Sequence, residues 1–352
     1  MTSPVQQDSA AEIARLQNTV AQFRRQLEAQ PDSLFPAHAD ALLQLGSALA
    51  ETGDFQAAVS SVAEGVDILR MMTEVEPENF RIQLASALNN LANRLSEAGS
   101  LEDSSAAVTE AVSQSHEAMK TKPDQARFVL VSSLINLAGK FMRDGNAESC
   151  LNQLAEAAEV FKAGGVAGIP FLGPMIEALH RASMAFAEVN LWGEAVDTRR
   201  LMIGLFPDGP PPAMVQLLTL TLQQASLSMA GEGRVDVAIQ CADESVELAQ
   251  LLFDKDPVEY KLILAQALGN QGGRRHQAGN THAALDVVLE SINLFHQVVN
   301  SDPAAAVPSL ILTLGTLSSI LTELGMMDQA AVVDEQKANL QKTLESLLGN
   351  SG

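Results

Sequence analysis

The chain has 352 residues, of which 47% are hydrophobic but only 4% aromatic, so we expect a helical core built from aliphatic and small side chains. The formal net charge of −21 argues against nucleic acid and anionic membranes as partners, because both require a basic surface. Only two cysteines are present, Cys150 and Cys241, which gives neither a disulfide framework nor a zinc-binding spacing.

The first residues lack a basic segment followed by an apolar one, and no run of 18 apolar residues occurs anywhere in the chain. Together with the sparse cysteines, this pattern predicts a cytoplasmic protein that does not enter a membrane. No cofactor is expected.

A fixed register runs along the chain, in which a leucine stands eleven residues before a glycine or asparagine, seven times over. We call these seven glycines and asparagine the turn residues, and they number the repeats: Gly53, Gly99, Gly145, Asn190, Gly233, Gly279 and Gly325. The steps between them are 46, 46, 45, 43, 46 and 46 residues. Self-similarity at such a period predicts a solenoid, in which each unit buries its apolar face against its neighbours.

Each repeat is predicted to hold two helices, with helix A before the turn residue and helix B after it. Seven residues before the turn, every repeat has a small residue: Gly46, Ala92, Ala138, Ser183, Ser226, Gly272 and Ser318. Five residues after it stands a second small residue: Ala58, Ser104, Cys150, Ala195, Ala238, Ala284 and Ala330. Small side chains permit close approach, so we expect helices A and B to cross at these two positions.

Prolines are expected to close helix B, since proline cannot continue a helix. They stand 24 residues after the glycine in four repeats, at Pro77, Pro123, Pro257 and Pro303. In repeat 4, Pro207 comes only 17 residues after Asn190, which predicts a shorter helix B.

These columns resemble the tetratricopeptide repeat (TPR) family, whose unit of 34 residues has a leucine, a small residue, a glycine turn, an alanine and a closing proline. The longer helix B and motifs such as Ser86–Ala92 are similar to the long-helix type found in kinesin light chains and bacterial signalling arrays. The resemblance implies an all-α fold, a right-handed solenoid or superhelix of about seven helix-turn-helix repeats.

In chain order, the register predicts four segments. Residues 1–31 form half a repeat, an N-terminal capping helix with Pro31 placed 46 residues before Pro77, and residues 32–162 form repeats 1–3. Residues 163–212 hold an irregular Gly/Pro-rich loop and short repeat 4, which either marks a hinge or consists of ordinary connections. Residues 213–352 form repeats 5–7. The last apolar residues, including Leu347 and Leu348, either pair two copies as a weak dimer or are covered by their own repeat in a monomer.

The resemblance also implies a binding surface, because the sixth position of the TPR unit, nine residues before the turn, points into the concave groove. We call these residues the amide column: Gln44, Asn90, Asn136, Arg181, Gln224, Asn270 and Thr316. Amide side chains donate and accept hydrogen bonds, so they suit an extended peptide backbone. Polar residues on an exposed helix also occur without any ligand.

Three cations share that face, five residues before the turn: Arg94, Lys140 and Arg274. Arg94 and Lys140, together with Arg181, would suit a partner that carries a carboxylate, through charge-assisted hydrogen bonds. The alternative is that they pair with acids of their own repeats.

Repeat 6 breaks the core pattern, since Gln271 and Arg275 stand where repeat 2 has Leu91 and Leu95. With His276 beside them, they form a possible anion or partner site. A buried arginine needs an acid or an outlet to solvent, so a rearranged and partly solvated repeat is the plainer interpretation.

Catalysis has little support, because the six histidines are scattered and the sequence contains no HExxH, no CxxC and no phosphate-binding glycine loop. We therefore expect no enzyme, no catalytic residue and no metal site. The leading hypothesis is a scaffold or adaptor that holds a protein or an extended peptide. The alternatives are a regulatory sensor hinged around repeat 4 and the scaffold arm of a larger signalling ATPase or protease assembly.

Overall fold

A computed structural model describes residues 4–27, 34–164, 172–206 and 208–349, with the side chains of residues 4–8, 27 and 346–349 left aside. Within these ranges the chain forms fifteen α-helices and no strand. The helices are α1 Pro4–Leu27, α2 Phe35–Glu51, α3 Phe55–Val75, α4 Pro77–Glu97, α5 Leu101–Met119, α6 Pro123–Arg143, α7 Ala147–Lys162, α8 Leu172–Glu188, α9 Trp192–Ile203, α10 Pro212–Gly231, α11 Val235–Lys255, α12 Lys261–Gln277, α13 Thr281–Val298, α14 Pro303–Glu323 and α15 Met327–Gly349. The A helices of repeats 1–7 are the even-numbered helices from α2 to α14, and each B helix follows its A helix.

The seven turn residues all adopt the left-handed backbone conformation. The φ angle is +84° at Gly53 and lies between +71° and +82° at the other five glycines of the register, while Asn190 has φ 62°. Glycine tolerates this conformation without strain, and asparagine is among the few other residues that adopt it readily. Each pair of helices is therefore joined by the same tight turn.

The predicted crossing of helices A and B is confirmed by hydrogen bonds between the two small columns. The hydroxyl groups of Ser183 and Ser226 donate to the carbonyl oxygens of Ala195 and Ala238, at 3.1 and 2.8 Å. Ser104 donates in the opposite direction, to Ala92 at 2.8 Å. A serine thus fills the crossing without leaving its own hydroxyl unsatisfied.

Prolines act differently from the prediction in three repeats. Helix B ends one or more residues earlier, and Pro77, Pro123 and Pro303 are the first residues of the next A helix. Proline suits this position because its fixed φ matches the helix and its missing N–H would have no partner there. Pro257 lies in the turn after α11, and Pro207 falls outside the described residues.

Helix α9 of repeat 4 has 12 residues, the fewest of the fifteen, so the predicted short helix B is confirmed. The Gly/Pro-rich loop before this repeat lies largely at residues 165–171, outside the described residues. The chain divides into two compact units, Met1–Ala178 and Leu179–Gly352.

Side chains of neighbouring B helices form a regular series of ion pairs. The guanidinium of Arg70 binds Glu110 through two hydrogen bonds, at 3.0 and 2.6 Å. The same relation joins Arg24 to Glu64, His116 to Glu156 and Arg200 to Glu244. Exposed ion pairs stabilise little, so their regularity chiefly shows that the B helices keep one register.

The two ends of the chain pack in different ways. Leu16 and Val20 of α1 are buried with the core of repeat 1, as expected for a capping helix. Val333 and Leu340 of α15 pack against the apolar core of repeats 6 and 7, whereas the side chains of Leu347 and Leu348 lie outside the described residues.

One helix in the described ranges, α14, is long and apolar enough to cross a membrane, with a mean hydropathy of 1.8 over its most apolar window. Half of that window is buried inside the protein, and α14 packs against α12, α13 and α15. A buried core helix meets the same criterion of length and composition.

Candidate peptide-binding surface

The A helices expose one stripe of side chains that recurs from repeat to repeat. In α10 the exposed residues of this stripe are Leu220, Gln224, Leu227 and Gly231, spaced four, three and four residues apart as one helix face requires. Buried residues such as Leu218 and Leu222 lie on the opposite side, against the core. We call the equivalent positions of all seven A helices, at 13, 9, 6 and 2 residues before the turn, the A stripe.

The amide column lies within the A stripe. Gln44, Arg181 and Gln224 are exposed, and Asn90, Asn136, Asn270 and Thr316 are half-buried. No hydrogen bond to a described residue holds the amide groups of Gln44, Asn90 or Gln224. These three amides are thus available to another molecule.

Two other amides of the column join neighbouring A helices. The Nδ2 of Asn136 donates to the Oδ1 of Asn89 at 3.4 Å. At the equivalent place in the second unit, the Nδ2 of Asn270 donates to the backbone carbonyl of Gln223 at 3.1 Å. Their amides are partly committed to the fold, so a ligand would have to share them.

The cations five residues before the turn differ in their surroundings. In the first unit, Arg94 pairs with Glu97 at 3.0 Å and Lys140 with Asp144 at 2.9 Å, which is the pairing within one repeat that the sequence left open. Arg274 in the second unit has no ion pair with any described residue, and burial lowers the pKa of its guanidinium. Of the three, Arg274 therefore has the strongest demand for an external anion.

The sequence did not lead us to four exposed apolar side chains of the A stripe. Leu220, Leu227, Leu312 and Met184 are 37%, 50%, 74% and 48% exposed, and all belong to A helices of repeats 4–7. A comparison of the repeats could have identified them, because the same positions hold polar residues such as Asp40, Ser86 and Asn93 in the earlier repeats. The stripe is polar in repeats 1–3 and mixed apolar and polar in the second unit.

The break in repeat 6 is resolved by an acid from the preceding repeat. The Nε2 of Gln271 donates to the Oδ1 of Asp243 at 2.7 Å, and the Nη2 of Arg275 lies 3.4 Å from the same oxygen. His276 lies 3.4 Å from a carboxylate oxygen of Glu323. Gln271 and Arg275 thus share an acidic hydrogen-bond partner within the protein, whereas His276 lies near an acid without a hydrogen bond to it.

Replacing Asp243 by alanine is expected to lower the free energy of unfolding by about 1 to 3 kcal/mol. The reason is that Gln271, only 6% exposed, would lose the acceptor of its amide, and Arg275 would lose its carboxylate. Urea unfolding measures the change. Glu247→Ala on the exposed side of the same helix serves as the matched control, and an equal loss in both variants would contradict the assignment.

The described residues contain no group of three or more histidine, cysteine, aspartate or glutamate side chains that could hold a metal ion. Burial raises the pKa of the Cys150 thiol to about 11, which keeps it protonated and unreactive near neutral pH. The A stripe and the adjacent Arg274 offer hydrogen bonds, apolar contacts and a positive charge.

Paired helices, left-handed turns at a 46-residue spacing and small residues at the crossings define a TPR-like α-solenoid fold. No protein-family model and no curated protein matches the sequence.

Similar solved structures include BtubC from P. vanneervenii, with 15% identity and a TM-score of 0.44, covering 69% of this chain and 92% of that one. The apo form of RapI has 13% identity and a TM-score of 0.38, covering 85% of this chain and 99% of RapI. A signal transduction ATPase with a tetratricopeptide repeat sensor from Pyrococcus horikoshii has 11% identity and a TM-score of 0.37, covering 97% of this chain and 49% of the ATPase.

Proposed function

We propose that this protein is a non-catalytic scaffold that binds a protein partner through an extended peptide segment laid along the A stripe. The observation that carries the proposal is the row of amides at Gln44, Asn90 and Gln224, which recur at one repeat position and have no hydrogen-bond partner among the described residues. Each can donate to a peptide carbonyl and accept from a peptide N–H. Such contacts bind a backbone with little regard to its sequence.

The second unit adds a preference for apolar side chains. Leu220 and Leu227 flank Gln224 on α10, so a peptide whose backbone meets the amide can place apolar side chains on both leucines. Arg274 on the neighbouring A helix offers an unpaired cation to a carboxylate of the partner. We infer an extended partner segment with alternating apolar and polar residues and an acidic group.

The two free cysteines and the acidic composition support a cytoplasmic scaffold, and we propose that it works as a monomer or as a weak dimer through α15. Neither nucleic acid nor a membrane is proposed as a partner, because the net charge of −21 opposes both.

The proposal is tested with peptides selected from a random display library against the full chain. In the first unit, the double change Gln44→Ala and Asn90→Ala is expected to weaken a peptide bound there by about 1 to 3 kcal/mol, as two lost hydrogen bonds require. In the second unit, Gln224→Ala with Leu227→Ser is expected to weaken binding by a similar amount. Fluorescence anisotropy of labelled peptides measures the affinity.

Gln56→Ala on α3 and Gln250→Ala on α11 are the matched controls, because both are exposed glutamines of B helices. They are expected to leave the affinity unchanged. If the control variants weaken binding and the A-stripe variants do not, the partner binds the B helices and the proposal is wrong.

A second candidate function is a regulatory sensor, or the scaffold arm of a larger ATPase or protease assembly, with a ligand-dependent hinge around repeat 4. The short helix α9 favours it, because it makes this repeat differ from the other six. Small-angle scattering with and without a selected peptide tests the sensor: a changed profile supports it, and identical profiles contradict it.

A further inference from the structure

Repeat 4 buries a charged side chain where five of the other six repeats have a buried apolar one. Arg199 stands nine residues after its turn residue and is 2% exposed. The corresponding residues of five other repeats are small or aliphatic and equally buried: Val62, Val108, Leu154, Ala242 and Val288. No carboxylate of the described residues pairs with Arg199, and its Nε has no hydrogen-bond partner among them.

The partner of this guanidinium is an imidazole. The Nη1 of Arg199 lies 2.7 Å from the Nδ1 of His180 on α8. A guanidinium has only donors, so Nδ1 must accept the hydrogen bond and the proton of the neutral ring must be on Nε2. Burial and the charge of Arg199 both lower the pKa of His180, which keeps the ring neutral. His180 is exposed, and its Nε2–H is left as a donor.

The repeat register indicates a second hydrogen-bond donor beside His180. Asn136 of the amide column donates to Asn89, and Asn270 of the same column donates to the backbone carbonyl of Gln223. In both cases the acceptor residue stands ten residues before the turn residue of the preceding repeat. We infer from this register that Gln224 on α10 stands beside His180 on α8. Both side chains are exposed, and the amide of Gln224 has no partner among the described residues.

We propose that His180 and Gln224, with Arg199 buried behind them, form a binding site for a carboxylate. The Nε2–H of His180 and the amide N–H of Gln224 would donate to the two carboxylate oxygens. The carboxylate would also supply the negative charge that the buried guanidinium lacks, acting through the shared hydrogen bond. Glu177 and Arg181 flank His180 on α8, and Arg199 is the charged group that faces it from α9.

This inference rests on the proposed function, since the site lies at the edge of the A stripe. Its residues belong to the second unit, so the first-unit variants of the peptide-binding test leave them unchanged. If the first-unit variants weaken peptide binding and His180 does not bind carboxylates, the scaffold proposal is supported and the carboxylate site is wrong. If His180 binds carboxylates and no A-stripe variant affects any peptide, the carboxylate site is supported and the peptide scaffold is wrong.

The test uses the full chain labelled with ¹⁵N-histidine and acetate as the carboxylate probe. The NMR spectrum of His180 is expected to show a bare Nδ1 and a protonated Nε2 at neutral pH. Acetate is expected to shift the Nε2 resonance saturably. A protonated Nδ1, or a His180 resonance that does not respond to acetate, would overturn the site.

Variants identify the role of the buried cation. Arg199→Leu places in repeat 4 a residue that repeat 3 has at this position, so the fold should persist, while the affinity for acetate falls at least about tenfold. Arg200→Leu removes the neighbouring exposed cation and should leave the affinity within about twofold, far less than the loss of a hydrogen bond to a charged group. Equal losses in the two variants would mean that general positive charge attracts acetate, which contradicts the site.

The source of the carboxylate is distinguished by three peptides of one sequence. One has a free C-terminus, one has an amidated C-terminus, and one has an amidated C-terminus and an internal glutamate. Preference for the first indicates a chain end, and preference for the third indicates an acidic side chain. Binding of acetate without discrimination among the peptides indicates a small free carboxylate.

Discussion

Replacing Gly46 by alanine is expected to lower the free energy of unfolding by roughly 1 to 3 kcal/mol, as is typical of overpacking. A Cβ at this position would lie 2.3 Å from the Cγ2 of Val62 and 3.0 Å from the carbonyl oxygen of Ala58. Val62 is fully buried and β-branched, so it has little freedom to move away. The helices would have to separate, and the urea midpoint would fall.

The matched control is Gly139→Ala, in helix α6 four residues before its end. A Cβ there meets only the end of the Arg143 side chain, at 3.9 Å, so alanine gains helix propensity without a clash. We expect it to raise stability by roughly 0.5 to 1 kcal/mol. Gly272→Ala repeats the test in the second unit, because its Cβ would lie 2.4 Å from the Cγ2 of Val288. Stabilisation by alanine at Gly46 and Gly272 would contradict the close crossing.

Arg199→Leu is expected to raise the free energy of unfolding by about 1 to 4 kcal/mol, in the range found when buried ionic groups are replaced by apolar ones. The guanidinium is 2% exposed and its only hydrogen-bond partner among the described residues is a neutral imidazole. Burial therefore penalises its charge, and the pKa of Arg199 is lowered for the same reason. Urea unfolding of the full chain measures the gain.

The neighbouring Arg200 provides the contrast. It is exposed and forms two hydrogen bonds with Glu244 and one with Asp197, so Arg200→Leu should lower stability by up to about 1 kcal/mol. Opposite signs at adjacent arginines would show that the charge of Arg199 is costly in the free protein. A loss of stability in Arg199→Leu would mean that the guanidinium contributes to the fold, and the argument for a missing anion would fail.

The fold could be predicted from the sequence because the residues that define it recur at a nearly constant spacing. Both helices of a repeat can be assigned from three features: one turn residue, two small residues where the helices cross, and a leucine at a constant distance before the turn. The prolines were placed correctly but interpreted at the wrong boundary, since Pro77 begins a helix instead of ending one. A spacing alone does not distinguish the end of one helix from the start of the next.

The surface was harder to predict, because partners depend on contacts between repeats. The sequence placed Asn136 and Asn270 in the amide column but gave no sign that their amides bind the preceding A helix. Asp243 could not be assigned to Gln271 and Arg275, which follow it by 28 and 32 residues. Arg199 was different, because its column is apolar in repeats 1–3 and 6, and comparison of that column alone would have revealed it.

The most direct test of peptide binding along the A stripe is site-specific photo-crosslinking of a selected peptide. A photoreactive amino acid replaces Gln44 or Gln224 on the A helices in two variants, and Gln56 or Gln250 on the B helices in two others. Mass spectrometry then identifies the crosslinked residues. We predict crosslinks from the A-helix positions and none from the B-helix positions. Crosslinks confined to the B-helix positions would show that the partner binds elsewhere.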